Sequence, residues 1–255
     1  KKPSLIAGPC VWEGYSHAEA IAEKLLAVCA KHDVNFIYKT SFDKANRSSL
    51  KGFRGAENAI EGFRELKKKF NLEILTDVHE SHQPGELDVV DIFQIPAFLC
   101  RQTDLLIAAG KTGLPVNIKK GQFMSHDSMQ FAVDKIKSTG NEKALICERG
   151  NSFGYNDLIV DATAIFKLKK HGVPVIMDCT HAVQKPNQTT GVTGGDPSLI
   201  ETIAINAAAT GADGLFIETH PNPTTAKSDP HTMLQLDQLK PILEKVMKIR
   251  TALSN

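Results

Sequence analysis

Short apolar runs rich in Val, Ile and Phe recur along the chain, at 4–7, 35–39, 73–77, 91–95, 115–119, 144–148, 174–178 and 214–218. Runs of this length and composition predict buried β-strands. The segments between them, and the one after the last, carry a helical period instead. In 18–31, Ile21, Leu25 and Val28 fall on one face. The same pattern predicts helices over 58–70, 104–111, 128–137, 157–170, 198–210 and 233–253. The segment 79–87 is the weakest, because Pro84 and Gly85 interrupt it.

Strand alternating with helix eight times predicts parallel strands joined by crossovers. Eight such units in 255 residues is the size of an α/β fold of the (β/α)8, or TIM barrel, type. A doubly wound open sheet is the alternative. It usually carries a Gly-rich turn after its first strand, and Gly8-Pro9-Cys10 is not one. No repeat, low-complexity tract or linker marks a second domain, so 1–255 reads as a single domain. Long loops over 185–197 and 219–232 follow the last two strands, where lids over barrel sites are found.

Composition narrows the function. Hydrophobic residues are 42% and charged residues 23%, which excludes a disordered tail or a coiled coil. Lys and Arg total 30 against 29 Asp and Glu, so there is no global basic field for nucleic acid or an anionic membrane. No apolar run approaches the ~18–20 residues of a membrane span. Leu5-Ile6-Ala7 is too short for a signal peptide; Gly8-Pro9 interrupts it and Glu13 closes it. A cytoplasmic chain is expected. The five cysteines are odd in number, widely spaced and without a CxxC pair, which predicts free, mostly buried thiols.

In a barrel, chemistry lies at the C-terminal ends of the strands. Those ends carry Cys10, Lys39, Asp77, Gln94, Lys119, Arg149, His181 and Glu218. The cations Lys39, Lys44, Arg47, Lys119, Lys120 and Arg149 lie near them with few offsetting carboxylates. Burying several cations together is costly unless anions fill the site. The ligand is therefore expected to be strongly anionic and phosphorylated, with Arg supplying a bidentate fork. Cys10, His181, Glu218 and Asp229 are of the types that ligate a divalent transition metal. By residue type alone, however, Cys10 is more often a buried core thiol and His181 more often a hydrogen-bonding imidazole, and that reading outweighs the metal. His17, His32, His126 and His171 read as surface residues, His79 as site-lining, and Trp12, Phe42 and Phe98 as funnel walls or core.

Several segments then resemble one family. Tyr38-Lys39-Thr40-Ser41-Phe42-Asp43-Lys44-Ala45-Asn46-Arg47-Ser48-Ser49 is similar to the signature of the 3-deoxy-D-manno-octulosonate 8-phosphate (KDO8P) synthases. So are Thr76-Asp77-Val78-His79-Glu80, Gln94-Ile95-Pro96-Ala97-Phe98-Leu99 and Arg101-Gln102-Thr103-Asp104-Leu105. The match continues through Asn117-Ile118-Lys119-Lys120-Gly121-Gln122-Phe123, Glu148-Arg149-Gly150-Asn151, Asp178-Cys179-Thr180-His181 and Phe216-Ile217-Glu218-Thr219-His220-Pro221.

The resemblance implies condensation of phosphoenolpyruvate with arabinose 5-phosphate, in lipopolysaccharide precursor biosynthesis. It implies that Lys39, Lys44, Lys119 and Arg149 hold phosphoenolpyruvate and that Asn46, Arg47 and Ser48 hold the sugar phosphate. Asp77, Gln94 and Ala97 would line the same site, with His181 and Asp229 among the catalytic groups. It further implies a homotetramer in which Arg101 reaches a neighbouring subunit's sugar phosphate. Cys10 and the Lys227-Ser228-Asp229-Pro230 segment resemble the metal-dependent branch, so Cys10, His181, Glu218 and Asp229 would hold iron, zinc or manganese. A DAHP synthase using erythrose 4-phosphate and a non-catalytic phosphosugar-binding barrel are the rival readings; the Asn46-Arg47-Ser48 segment argues against the first.

Overall fold

The computed structural model describes residues 2–46, 53–56, 58–189 and 193–254. Its central strands are β1 (Ser4–Gly8), β2 (Asn35–Lys39), β3 (Ile74–Asp77), β4 (Ile92–Ile95), β5 (Val116–Lys119), β6 (Ala144–Glu148), β7 (Val175–Asp178) and β8 (Gly214–His220). Each pairs in parallel with the next, and β8 pairs back to β1, with Ser4 opposite Gly214 and Gly8 opposite Glu218. The sheet is closed, as the alternating pattern predicts, and a closed sheet leaves no edge. All eight apolar runs are strands, displaced by a residue or two at most at either end.

The helices are α1 (Tyr15–Cys29), α2 (Ala59–Phe70), α3 (Gln83–Glu86), α4 (Thr103–Lys111), α5 (Met129–Lys137), α6 (Ala164–Lys169), α7 (Ile200–Ala209) and α8 (Leu239–Leu253). The segment weakened by Pro84 and Gly85 is a single turn. The helix expected over 157–170 is corrected. Asp157–Ile159 is a strand paired antiparallel with Asn151–Phe153. Gly154 takes a φ of 65°, which lets the chain reverse there. The Asp161 carboxylate then accepts from Thr163 N–H at 2.7 Å, just before α6 begins. The helix expected over 233–253 also starts late, because Leu234–Gln235 first pairs with β8. A short antiparallel pair, Gln184–Lys185 with Gly194–Gly195, was not foreseen.

Side chains alternate across each strand. One face packs against the helices and forms the main core, with Tyr38, Phe63, Phe93, Ile118 and Ile146 fully buried. The other face fills the lumen with a separate cluster of Ile6, Ile37, Leu75, Ile92, Cys147, Ile176 and Phe216. Two residues further along the same face come Gly8, Lys39, Asp77, Gln94, Arg149, Asp178 and Glu218. The lumen is therefore apolar at its floor and charged at its mouth. Trp12, held open above as wall or core, is core: its ring meets Phe63 edge-on at 5.4 Å.

Gly8 makes room for this mouth. A Cβ there would lie 2.0 Å from the carbonyl oxygen of Lys39, and that oxygen belongs to a paired strand. Gly8→Ala is expected to destabilise the fold by about 1–3 kcal/mol through overpacking. A urea midpoint equal to wild type would show that β1 and β2 can part without loss.

Candidate active site

The mouth opens into a cavity of about 120 Å³. Of the residues expected there, Lys44, Asn46, Asp77, Gln94, Ala97, Lys119, Arg149, His181 and Glu218 line it, joined by Pro96, Phe98 and Gln184. Lys39 lies buried beneath the opening. Arg101 is exposed and is not among the residues lining its own chain's cavity. Arg47 and Ser48 lie outside the described residues.

Buried cations here meet carboxylates. Lys39 Nζ lies 2.6 Å from Glu218 Oε1 and donates to the Cys10 carbonyl at 2.9 Å and to Ser41 Oγ at 3.1 Å. Burial disfavours its charge, but Glu218, Cys10 and Asp77 raise the ammonium's pKa above the ordinary lysine value. Burial likewise opposes ionisation of Glu218, while Lys39 and His181 bring its carboxyl down to about 2. Asp77 accepts from Ser41 Oγ and faces Lys44 Nζ at 3.8 Å and His79 Nε2 at 3.4 Å. Burial would raise its pKa; Lys44 and His79 hold it well below the usual range.

Lys119 pairs with Asp178 and sits 3.3 Å from the Phe216 ring centre. Asp178 is the residue that the sequence reading missed. It is the inward residue two positions beyond Ile176, and strict alternation along β7 would have found it. Asp178 Oδ2 also lies 2.8 Å from His181 Nδ1. Burial works against the Asp178 charge, but His181 and Lys119 keep it far below the carboxylate range. Arg149 Nη2 donates to the His181 carbonyl at 2.9 Å and to Gln184, while its buried Nε has no partner. Lys44, Lys119 and Arg149 thus bring three cationic side chains to the wall of one cavity.

A second set of groups adjoins the cavity. Ligand atoms of Cys10, Glu218 and Asp229 lie within 4.8 Å of one another. The Cys10 thiol donates to Asp229 Oδ2 at 3.3 Å, and burial with Glu218 pushes its pKa up to about 12. His181 Nε2 lies 3.5 Å from Glu218 Oε2 and 3.7 Å from Asp229 Oδ2. With Nδ1 turned to Asp178, Nε2 is the ring nitrogen that faces this group, the orientation that carboxylate–histidine–metal sites use. Nε2 thus faces two carboxylate oxygens, of which Glu218 Oε2 is buried without a hydrogen-bond partner among the described residues. A sulfur, two carboxylates and an imidazole nitrogen gathered this closely are of the donor types that hold a divalent cation. Asp229 reaches this spot with a left-handed φ of 48°, a conformation that Asp adopts more readily than most residues.

Other expectations are corrected. His17, His32, His126 and His171, expected at the surface, are half-buried. His126 Nε2 faces Glu148 Oε2 at 3.5 Å, His171 Nε2 contacts the His126 carbonyl oxygen at 2.8 Å, and His17 packs on His220 at 4.6 Å. His79 supports Asp77 from behind rather than lining the cavity.

A model of the DAHP synthetase I family matches residues 1–255. The chain is 49% identical over 247 residues to the 2-dehydro-3-deoxyphosphooctonate aldolase of Chelativorans sp. (strain BNC1), covering 96% of this chain and 90% of that protein. It is 47% identical over 257 residues to the protein of the same name from Koribacter versatilis (strain Ellin345), covering 98% and 92%. The Brucella ovis protein of that name is 49% identical over 247 residues, covering 96% and 89%.

Two expected outcomes follow from the charges. Lys119→Ala and Arg149→Ala each remove a charge-assisted donor worth roughly 1.5–3 kcal/mol. Binding of a phosphorylated carboxylate should weaken about 10- to 100-fold in each. Asp178 keeps His181 as a partner, so the fold should survive. Near-normal affinity by calorimetry would place the residue outside the site. Asp77 provides a pH readout. Its unfolded carboxyl titrates near the ordinary 3.8 and its folded one well lower. Below about pH 4 the unfolded chain binds the proton first, so this contribution is full above that value and fades as pH falls. Asp77→Asn should be less stable than wild type at neutral pH, with the gap narrowing under acid. A gap unchanged at pH 3 in urea titrations would disconnect Asp77 from folding.

Proposed function

The chain belongs to the DAHP synthetase I family, and from that membership we propose that it is a KDO8P synthase. It condenses phosphoenolpyruvate with D-arabinose 5-phosphate and water, giving 3-deoxy-D-manno-octulosonate 8-phosphate and inorganic phosphate. The observation that carries this is near-half identity, over almost the whole chain, to enzymes named for that octulosonate. The same names disfavour erythrose 4-phosphate as acceptor. Supporting it is a funnel lined by Lys44, Lys119 and Arg149, with the Arg149 Nε without a partner among the described residues.

In this reading Lys119 and Arg149 hold the carboxylate and phosphate of phosphoenolpyruvate, with Lys44 beside them. Asn46, Arg47 and Ser48 take the sugar phosphate. C3 of phosphoenolpyruvate attacks the sugar aldehyde, forming the C–C bond, and the aldehyde oxygen takes up a proton. Water adds at C2. The hemiketal phosphate then loses inorganic phosphate by C–O cleavage. Holding both anions in line turns an encounter of two like-charged molecules into a proximity-assisted step. The funnel's apolar floor keeps bulk water from below. Cys10, His181, Glu218 and Asp229 would hold a divalent metal, and their soft and hard donors suit iron, zinc or manganese. Such a metal supplies Lewis acidity to a carbonyl oxygen or to water. Asp178, at 2.8 Å from Nδ1, would orient the His181 ring for that purpose.

We place the enzyme in the cytoplasm as a homotetramer, with Arg101 given to a neighbouring subunit's site. No helix among the described residues is long and apolar enough to cross a membrane, and the five cysteines are free and buried. The exposure of Arg101 away from its own cavity supports the intersubunit role. Arg101→Ala should raise the KM for arabinose 5-phosphate; a fully active monomer in sedimentation at assay concentration would refute the assembly.

The deciding experiment is phosphate release with phosphoenolpyruvate and each aldose phosphate, with and without a chelator. Arabinose 5-phosphate should turn over, and erythrose 4-phosphate far more slowly, because a sugar one carbon shorter cannot reach both fixed ends. Equal kcat/KM for the two would sink the acceptor assignment. Chelation should abolish activity, with metal add-back restoring it. If activity survives thorough chelation and Cys10→Ala keeps wild-type rates, the metal is removed and the synthase stands.

A further inference from the structure

Strand alternation puts Lys119 and Lys120 on opposite faces of the barrel wall. Lys119 faces the cavity. Lys120 points outward and is fully buried between wall and helices. Glu148, the last residue of β6, points the same way and is equally buried. Its Oε1 lies 3.4 Å from Lys120 Nζ and accepts from the N–H groups of Arg149 at 2.9 Å and Gly150 at 2.5 Å. Lys120 Nζ in turn donates to the Gly150 carbonyl at 3.2 Å and to Asn151 Oδ1 at 2.7 Å. Gly150 has a φ of 85° and would bring a Cβ within 3.2 Å of the Ile159 carbonyl oxygen. The turn that follows Arg149 is therefore tightly held. Glu148 Oε2 faces His126 on the loop after β5, and Ser152 N–H donates to the Gln122 carbonyl at 3.0 Å, tying the same two loops.

A buried carboxylate is retained against its desolvation penalty only with partners. These partners are not the substrate: Glu148 does not line the cavity. Its best-formed bonds go to the backbone of the residue whose guanidinium does line it.

We infer that Glu148 is a positioning residue for phosphoenolpyruvate binding. Through the Arg149 and Gly150 amides it fixes the backbone from which the Arg149 side chain crosses to the His181 carbonyl and Gln184. Lys120 neutralises it. The inference rests on the reading above that Arg149 binds phosphoenolpyruvate.

Two double variants separate aim from charge. Glu148→Gln with Lys120→Met removes both charges and keeps the acceptor oxygen. Glu148→Leu with Lys120→Met removes the acceptor as well. Calorimetry with phosphoenolpyruvate gives its Kd, and steady-state kinetics give the KM of each substrate. The first variant should bind phosphoenolpyruvate within about two-fold of wild type. The second should bind it about ten-fold or more weakly, since small misplacements at a site are expensive. The KM for arabinose 5-phosphate should stay within about two-fold in both, a split that general loosening would not produce. Equal phosphoenolpyruvate affinities in the two, or matched losses for both substrates, would overturn the inference. Should the leucine variant fail to fold, Glu148→Gln alone decides: affinity near wild type supports aim through the amides, and a ten-fold loss overturns it. Wild-type protein that does not bind phosphoenolpyruvate would instead bring down the functional reading itself.

Discussion

An ammonium group buried at the mouth of a closed barrel must have a carboxylate within reach, and this requirement organises the whole upper half of the molecule. Lys39 meets Glu218, Lys119 meets Asp178 and Lys44 meets Asp77. Such pairs contribute little net stability relative to apolar packing, yet removing one partner typically costs 3–5 kcal/mol. An apolar layer would stabilise the barrel as well. Only a charged one can hold an anion, and the pairs keep that layer folded before the ligand arrives.

The pairing is deliberately incomplete on the side facing the cavity. Among the described residues Arg149 bonds only neutral acceptors, a carbonyl and an amide oxygen, and its Nε has none. Asp178 is shared between Lys119 and His181, so neither cation is fully offset. On the opposite rim the imbalance is reversed. Glu218 and Asp229 turn carboxylate oxygens to His181 Nε2, with the Cys10 sulfur beside them. One mouth thus carries a place for anions beside a place for a cation, and Asp178 and His181 join the two.

The wall between lumen and helices matters as much as the lumen. Lys119 ends β5 and Lys120 follows it, and the two diverge because extended backbone turns successive side chains to opposite faces. One serves the cavity and the other joins Glu148 behind it, where the loops after β5 and β6 are fastened together. Function at the mouth depends on bonds that never touch it.

Much of this was legible in the linear order of residues. The apolar runs marked all eight strands, and their ends named most of the cavity's lining, because burial pattern and period are local properties. What misled were turns whose cause is also local but subtle: Gly154 reversing the chain, and Asp161 delaying α6. Asp178 was hidden by the more conspicuous His181 three residues later. Other facts belonged to the tertiary structure alone. Lys39 and Glu218 are 179 positions apart, and Cys10 and Asp229 are 219. Nothing in their spacing selects those partners. They meet because β8 closes against β1 and the chain beyond it folds back over the seam, and closure is a property of the whole sheet rather than of any segment.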